Sequence, residues 1–343
     1  MRKTALVFSL LGLLFLLSAC GQAPVTGGNK EQVVTVTDQL GRQVELPRHI
    51  QRIAALDHLE GQIVFALGQQ DKLVHQALYN KLGQAMGRVD AAFNAKPQLR
   101  QVQKTITTES LAALNPEVIF INSSFDKTQL QQFESAGMKV IAVKGETLAD
   151  SYEAVRLMAT VLGCQDKGER YIAACNDLLQ LVKDRTGPIP PSQRPTVMFS
   201  GPRDIFTVAT GEMVQAAIIE TAGGKNVAGE LKGFWITASP EQVSAWNPDV
   251  IFLGSSKDTY TPEDLYTNPH FATVAAARNK RVYAFPSNIG WWDYPAPHHI
   301  LGTVWAAKTL YPEKFADIDL TRLADEFYTK FFGHSFTELG GKL

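Results

Sequence analysis

ESLAALNPEVIFINSS, from Glu109 to Ser124, and EQVSAWNPDVIFLGSS, from Glu241 to Ser256, are two forms of one stretch of sequence. They lie 132 positions apart without a gap and agree at 9 of 16 positions. Each opens with a short helical pattern, breaks at Asn-Pro and runs into a compact apolar segment (Val118 to Ile121, Val250 to Leu253). The prolines Pro116 and Pro248 predict the helix ends, because the residue before a proline is pushed out of the α region. An all-apolar strand of this length suits a parallel sheet covered on both faces. The spacing is far too long for a solenoid unit. Two copies so far apart predict two similar α/β lobes, and two lobes enclose a cleft.

The segments around the copies extend this pattern. Val33 to Leu46 alternates and turns at Leu40-Gly41, which reads as a hairpin. Core strands are expected at Ile53 to Leu56, Lys139 to Val143, Thr196 to Phe199 and Arg281 to Phe285, with a further short one at Lys72 to His75. Helices are expected at His58 to Leu67, Thr128 to Ala136, Ala149 to Leu162, Met213 to Ala222, Pro297 to Leu310 and Leu320 to Phe331. Ala77 to Lys104 lacks periodicity and reads as loop at a cleft rim. Gln165 to Arg185 reads as one long helix with Tyr171, Ala174, Leu178, Leu181 and Val182 on its apolar face. Strand–helix alternation of this kind predicts parallel sheets with crossover helices. A single long helix between lobes predicts small closure motions. The expected fold is thus α/β: two Rossmann-like lobes with parallel sheets, joined by one long helix, with a ligand cleft between them.

Arg2 and Lys3 precede an apolar run from Ala5 to Leu17, and Leu17-Ser18-Ala19-Cys20 follows. This is the pattern of an export signal with a small-residue cleavage site, and it falls short of the ~20 residues that span a bilayer. The cysteine after Leu-Ser-Ala resembles a bacterial lipobox, which implies lipid on Cys20 and an anchored, extracytoplasmic protein in the periplasm or at the cell surface. The expected division is residues 1–19 as signal, 20–32 as lipidated cysteine and tether, 33–148 as the first lobe, 149–190 as linking helices and 191–343 as the second lobe. A net charge of -1 gives no reason to expect nucleic acid as partner. The cysteines Cys164 and Cys175 stand eleven residues apart on a predicted helix, roughly 16 Å, which is beyond disulfide reach.

The whole exported chain resembles the substrate-binding lipoproteins of ABC importers for iron–siderophore complexes, haem and cobalamin. The resemblance is carried by TDQLGRQVELPRHIQRIAAL, the two Glu-x-x-x-A-x-N-P-[ED]-V-I-F copies, GEMVQAAIIETAGGKNVAGE (Gly211 to Glu230) and WWDYPAPHHILGTVWAAKTLYPEKF, in that order. It implies a class III periplasmic-binding-protein architecture and a monomer that captures a metal chelate, foremost a ferric siderophore. It also implies partners: an ABC permease dimer with its ATPase subunits. In this family a glutamate on each lobe pairs with permease arginines, and the matching residues here are Glu109 and Glu241. A carboxylate also suits a helix N-terminus on macrodipole grounds alone.

Ligands of α/β sheets meet the loops at the carboxyl ends of strands. Those loops hold Asp57-His58, Ser123 to Phe125, Gly201 to Arg203, Ser255-Ser256 and Ser287 to Tyr294. The candidate ligand residues are His58, Arg203, Trp291, Trp292 and Tyr294, together with Trp235, since the resemblance implies that Gly233-Phe234-Trp235 reaches the cleft. Flat aromatic walls suit a siderophore, corrin or porphyrin, and Arg203 suits carboxylate or catecholate oxygens. Tyr79 and Arg88 are further rim candidates. Where some siderophore binders carry an arginine, this chain has Gln103-Lys104, a point charge in place of a planar fork. Haem, cobalamin, molybdate and a bare divalent metal remain alternative ligands. Bare metal needs three or four convergent ligands, and the adjacent His298 and His299 point ~100° apart on a helix. No resident cofactor or protein-held metal is expected. An enzyme, chelatase-like at most, is not expected, because no nucleophile elbow, Walker loop or zincin pattern occurs.

Overall fold

The chain enters its fold through the predicted hairpin, β1 (Val33–Thr37) against β2 (Gln43–Pro47). Gly41 takes φ 80 in the turn, and the buried Asp38 carboxylate accepts from the backbone of Leu40, Arg42 and Ala142. That last bond ties the hairpin to the first sheet. The computed structural model describes residues 33–77, 81–99, 106–202, 204–254, 260–296 and 298–343. Val33–Leu343 is one compact unit.

The first sheet is β3 (Ile53–Ala55), β4 (Val118–Asn122) and β5 (Val140–Val143), all parallel, with β4 central. The second sheet has the same parallel trio, made of β6 (Thr196–Ser200), β10 (Val250–Leu253) and β11 (Val282–Ala284), again with the repeat strand β10 central. It is extended by β7 (Thr207–Val208), β8 (Lys225–Asn226) and β9 (Ile236–Thr237), of which β7 and β9 form an antiparallel arm.

The two repeat copies build the same local structure. Helix Thr108–Ala112 is capped by the Thr107 hydroxyl on Ser110 N, and helix Pro240–Trp246 by the Ser239 hydroxyl on Gln242 N. Each helix is followed by an asparagine in the left-handed region, Asn115 at φ 45 and Asn247 at φ 43. The proline rule alone predicts extended backbone there; asparagine reaches the left-handed region at low cost, and that makes the turn tighter. The acid after each proline then clamps the neighbouring strand. Glu117 accepts from the backbone of Gln51 and Arg52 at 2.5 and 3.1 Å, and Asp249 from Thr196 N and Oγ1, both at 2.8 Å. The Glu117 and Asp249 amides answer by donating to Arg52 O and Thr196 O. Matching positions thus make matching bonds in both lobes.

Helices His58–Ala66, Lys127–Ser135, Leu148–Val161, Gln165–Thr186, Val214–Thr221, His299–Leu310 and Leu320–Phe332 follow the predicted pattern. The long helix Gln165–Thr186 packs on Leu148–Val161 and on His299–Leu310, and the last helix packs on His58–Ala66. Burial is its cement: Tyr171 is buried against Phe327 and Phe331, with ring centroids 5.8 and 4.8 Å away. Cys164 and Cys175 are free thiols.

Two expectations are corrected. Lys72 to His75 is not a strand; after a 3-10 turn at Gln70–Lys72 only Leu73 bridges to Ile53. The stretch after Ala77 is not all loop, because it holds helix Lys81–Val89 and a short helix Ala91–Asn94. Gly83 and Gly87 lower its intrinsic propensity, so the helix depends on burying Leu82, Ala85 and Met86. Gly87 has a packing reason, since a Cβ there would come within 2.9 Å of Asn94 Oδ1.

Candidate functional site

A cavity of about 420 Å³ is lined by Glu146, Pro202, Met213, Val214, Gln215, Phe234, Trp235, Trp291, Asp293, Tyr294 and Pro295. Its walls come from segments that follow β5, β6 and β11, together with the start of helix Val214–Thr221 and the turn into β9. This is the carboxyl-end placement expected of a ligand site in parallel sheets.

The Phe234-Trp235 wall is held by its neighbours. Gly233 takes φ 90, its N–H donates to Glu212 Oε2 at 2.8 Å, and its carbonyl accepts from the Thr210 hydroxyl. That backbone bond is the first cause holding the Glu212 carboxyl below its usual range. Trp235 N donates to Met213 Sδ at 3.3 Å. The indole lies on the backbone of Gly201: a Cβ there would stand 2.3 Å from Cε3 and 2.4 Å from Cζ3 of Trp235. Only glycine permits this approach. Phe234 is 60% exposed at the cavity.

Elsewhere in the lining Trp291 and Tyr294 have ring centroids 5.7 Å apart. His58 meets both edge-on, at 5.1 and 5.7 Å. His58 itself is not among the lining residues; it supports the two rings that are. It opens helix His58–Ala66, where Asp57 accepts from His58 N at 2.7 Å.

The polar part of the cavity is acidic. Asp293 is buried, and its carbonyl accepts from Gln215 Nε2 at 2.8 Å. Gln215 is buried too, and its Oε1 has no hydrogen-bond partner. Desolvation, with the charge of Asp150 second, pushes the Glu146 carboxyl above its usual range. The Tyr260 hydroxyl donates to Gly201 O, next to the Trp235 contact. Burial, then the charges of Asp204 and Asp293, raise its pKa.

The cavity therefore brings together Trp235, Trp291 and Tyr294 of the residues read from the sequence, with His58 touching two of them. Trp292 is elsewhere. It is fully buried, its Nε1 donates to Tyr328 Oη at 3.1 Å, and its ring lies 5.3 Å from Phe336. Neighbours in sequence face opposite ways here, and one of the pair Trp291-Trp292 belongs to the core. Arg88 donates to Leu339 O at 2.9 Å and ties the chain end to the first lobe. His298 and His299 are buried away from the lining, and burial pushes their pKa values down to about 3 and about 4. Among the described residues no group of three or more His, Cys, Asp or Glu could hold a metal ion. Arg203, Cys20, Tyr79, Gln103-Lys104 and Ser255-Ser256 lie outside the described residues. Sequence reasoning missed Glu146, Met213 and Gln215, and it named the loop that holds Asp293 without singling that residue out. Glu146 carried a usable signal, since it follows a strand end; Met213 and Gln215 carried none.

Glu109 and Glu241 are exposed, each at the second position of its helix. The Glu241 carboxyl is held below its usual range by its own backbone N–H and by the Ser239 hydroxyl.

The pattern of the periplasmic binding protein family matches residues 53–289. The molybdate-binding protein MolA of Haemophilus influenzae is 30% identical over 331 residues, covering 88% of this chain and 91% of that one. The vitamin B12-binding protein of Salmonella typhi is 24% identical over 220 residues, covering 62% of this chain and 77% of that one. Among solved structures, MolA of Haemophilus influenzae bound to molybdate superposes with a TM-score of 0.77 at 25% identity, covering 88% of this chain and 98% of that one.

Proposed function

The chain belongs to the periplasmic binding protein family, and on that premise we propose that it is the extracytoplasmic binding protein of an ABC importer that captures a metal chelate, foremost a ferric siderophore. The observation that carries this reading is the aromatic cavity of about 420 Å³. Trp235, Trp291, Tyr294 and Phe234 offer flat apolar surface to an organic shell. Gln215, Asp293 and Glu146 offer a few fixed polar groups at one side. Preformed sites for small organic ligands have this composition. Two carboxyl groups and no described cation in the lining favour a ligand that carries hydrogen-bond donors or metal charge over a bare anion.

A second reading is molybdate, favoured by the relative that is 30% identical and named for that ligand. A dianion needs donors, and Arg203 follows the lining Pro202 in the sequence. The rest of the reading follows the family. Cys20 carries a lipid anchor, and Glu109 and Glu241 dock the two lobes on a permease dimer that works with ATPase subunits. Like-charged anchors on two lobes match a two-fold basic receptor, and such charge sets encounter rate and orientation more than affinity.

Tryptophan fluorescence of the chain without its first 20 residues tests the ligand. Ferric hydroxamate, catecholate and citrate complexes, haemin, cobalamin, molybdate and zinc are titrated in turn. Saturable quenching by one chelate, lost in Trp235→Ala, supports the first reading. Binding of molybdate alone, abolished in Arg203→Ala and kept in Trp235→Ala, replaces it with the second.

A further inference from the structure

A second cavity, of about 440 Å³, shares no lining residue with the candidate ligand site and includes Ser239 and Gln242, which flank Glu241 in the chain. Its apolar walls are Val227, Leu231, Ile236, Ala238 and Trp246. Ser239 and Gln242 complete the rim on either side of Glu241 in the chain, and the exposed Glu230 adds a carboxylate. No lysine or arginine is among the described lining residues. The nearest in sequence, Lys232, is paired with Glu212 at 3.4 Å.

This groove breaks the likeness of the two lobes. The first copy has Thr107 for Ser239, Ser110 for Gln242 and Leu114 for Trp246. More decisive is the sheet. Ile236 and Thr237 are β9, the outer strand of the antiparallel arm. Among the described residues the first sheet is only β3, β4 and β5 and has no such arm. The groove therefore joins a repeat helix found in both lobes to a strand that has no counterpart among the described residues of the first.

We propose that this groove seats an apolar side chain carried next to a basic residue on the permease, so that the second lobe makes a docking contact that the first lobe lacks. The inference rests on the reading that Glu109 and Glu241 are docking residues. Charge complementarity picks the occupant: Glu230 lines the groove, the exposed Glu241 lies in the chain between the lining residues Ser239 and Gln242, and the two carboxylates favour a basic segment, while the apolar walls favour an apolar residue within that segment. An apolar pocket on one lobe only makes the two docking contacts unequal, so filling it weakens docking more than the matching change on the other lobe.

The test uses the cognate permease–ATPase complex in nanodiscs and the full chain, with affinity read by surface-immobilised binding. Gln242→Trp fills the groove, and Ser110→Trp puts the same side chain at the matching place on the first lobe. We expect Gln242→Trp to weaken docking at least tenfold and Ser110→Trp less than twofold, with solute affinity unchanged in both. Equal effects of the two, or none from Gln242→Trp, overturn the groove inference. The double variant Glu109→Arg, Glu241→Arg is the separate control on the underlying reading. If it docks normally, the docking role fails; if it fails to dock while Gln242→Trp docks normally, only the groove is refuted.

Discussion

Glu60 lies in the first turn of helix His58–Ala66, fully buried, with neither carboxyl oxygen hydrogen-bonded. Desolvation, with the Asp57 charge second, raises its pKa from 4.5 to about 8. A carboxyl whose folded pKa is raised holds its proton in the native state after the unfolded chain has released it. Stability is therefore full below pH 4.5 and falls as pH rises through the window from there to about pH 8. A tenfold difference in proton affinity between the folded and unfolded chains is worth about 1.4 kcal/mol, so the cost at pH 7 is about 3 kcal/mol relative to an ordinary carboxyl. Glu60→Gln keeps the shape and removes the titration. Urea unfolding of both proteins at half-unit steps from pH 5 to pH 8 should show the variant gaining on the parent by ~1.4 kcal/mol per pH unit up to pH 7. Asp57→Asn removes the second cause of the shift and keeps a side chain that caps equally well, so the parent's loss of stability should end at a lower pH. Parallel stability curves for parent and Glu60→Gln would falsify the account, since the carboxyl would then titrate alike in both states. The consequence reaches the site, because the helix that contains Glu60 begins with His58, the support of Trp291 and Tyr294.

Trp235→Ala should weaken ligand binding at least tenfold with little loss of stability, because the indole is half-buried at the cavity wall; Trp292→Ala should cost about 3–5 kcal/mol of stability, and urea midpoints and dissociation constants measured together separate the two. Gly201→Ala drives a methyl into the Trp235 ring; a stability loss of about 1–3 kcal/mol and a shifted tryptophan emission are expected, and unchanged emission with unchanged affinity would show the ring lying elsewhere. Reversing both Glu109 and Glu241 to arginine should abolish transport in proteoliposomes and leave solute affinity as it was; lost solute affinity counts against a docking role.

The sequence disclosed the fold where one physical rule governed a whole segment. Apolar runs after Asn-Pro became the central strands β4 and β10, and glycines after helical patterns became left-handed stops at Gly137, Gly163 and Gly223. It failed where tertiary packing overrode local preference. Helix Lys81–Val89 carries two glycines and shows itself only through burial of Leu82, Ala85 and Met86. The strands β7, β8 and β9 have two residues each, too few for any periodicity. The site was half legible for the same reason. Aromatic residues in strand-end loops are conspicuous, but which ring of Trp291-Trp292 faces the cavity depends on the backbone between β11 and helix His299–Leu310. Asp293 stands in a loop that the sequence marks, but its pairing with Gln215 gave no sign because the bond joins residues 78 positions apart.

The way a solute enters follows from where the core runs. One continuous cluster of buried residues takes in Phe120 and Ile141 beside the first sheet and Phe199 and Phe252 beside the second. Tyr171, Trp292, Tyr328 and Phe336 lie in the same cluster. Each large side chain brought into water costs about 1.5–3 kcal/mol, so swinging the two sheets apart far enough to expose even these four costs about 6 kcal/mol or more. A solute-binding equilibrium does not supply that for a routine opening. The cavity is then largely preformed, and the parts free to move are those that bury little, above all Phe234 at its mouth. Small-angle scattering of the chain with and without saturating solute should give the same radius of gyration within error. A contraction of several ångströms on binding would mean that the sheets do separate, and that the shared core opens at a lower cost than its buried side chains imply.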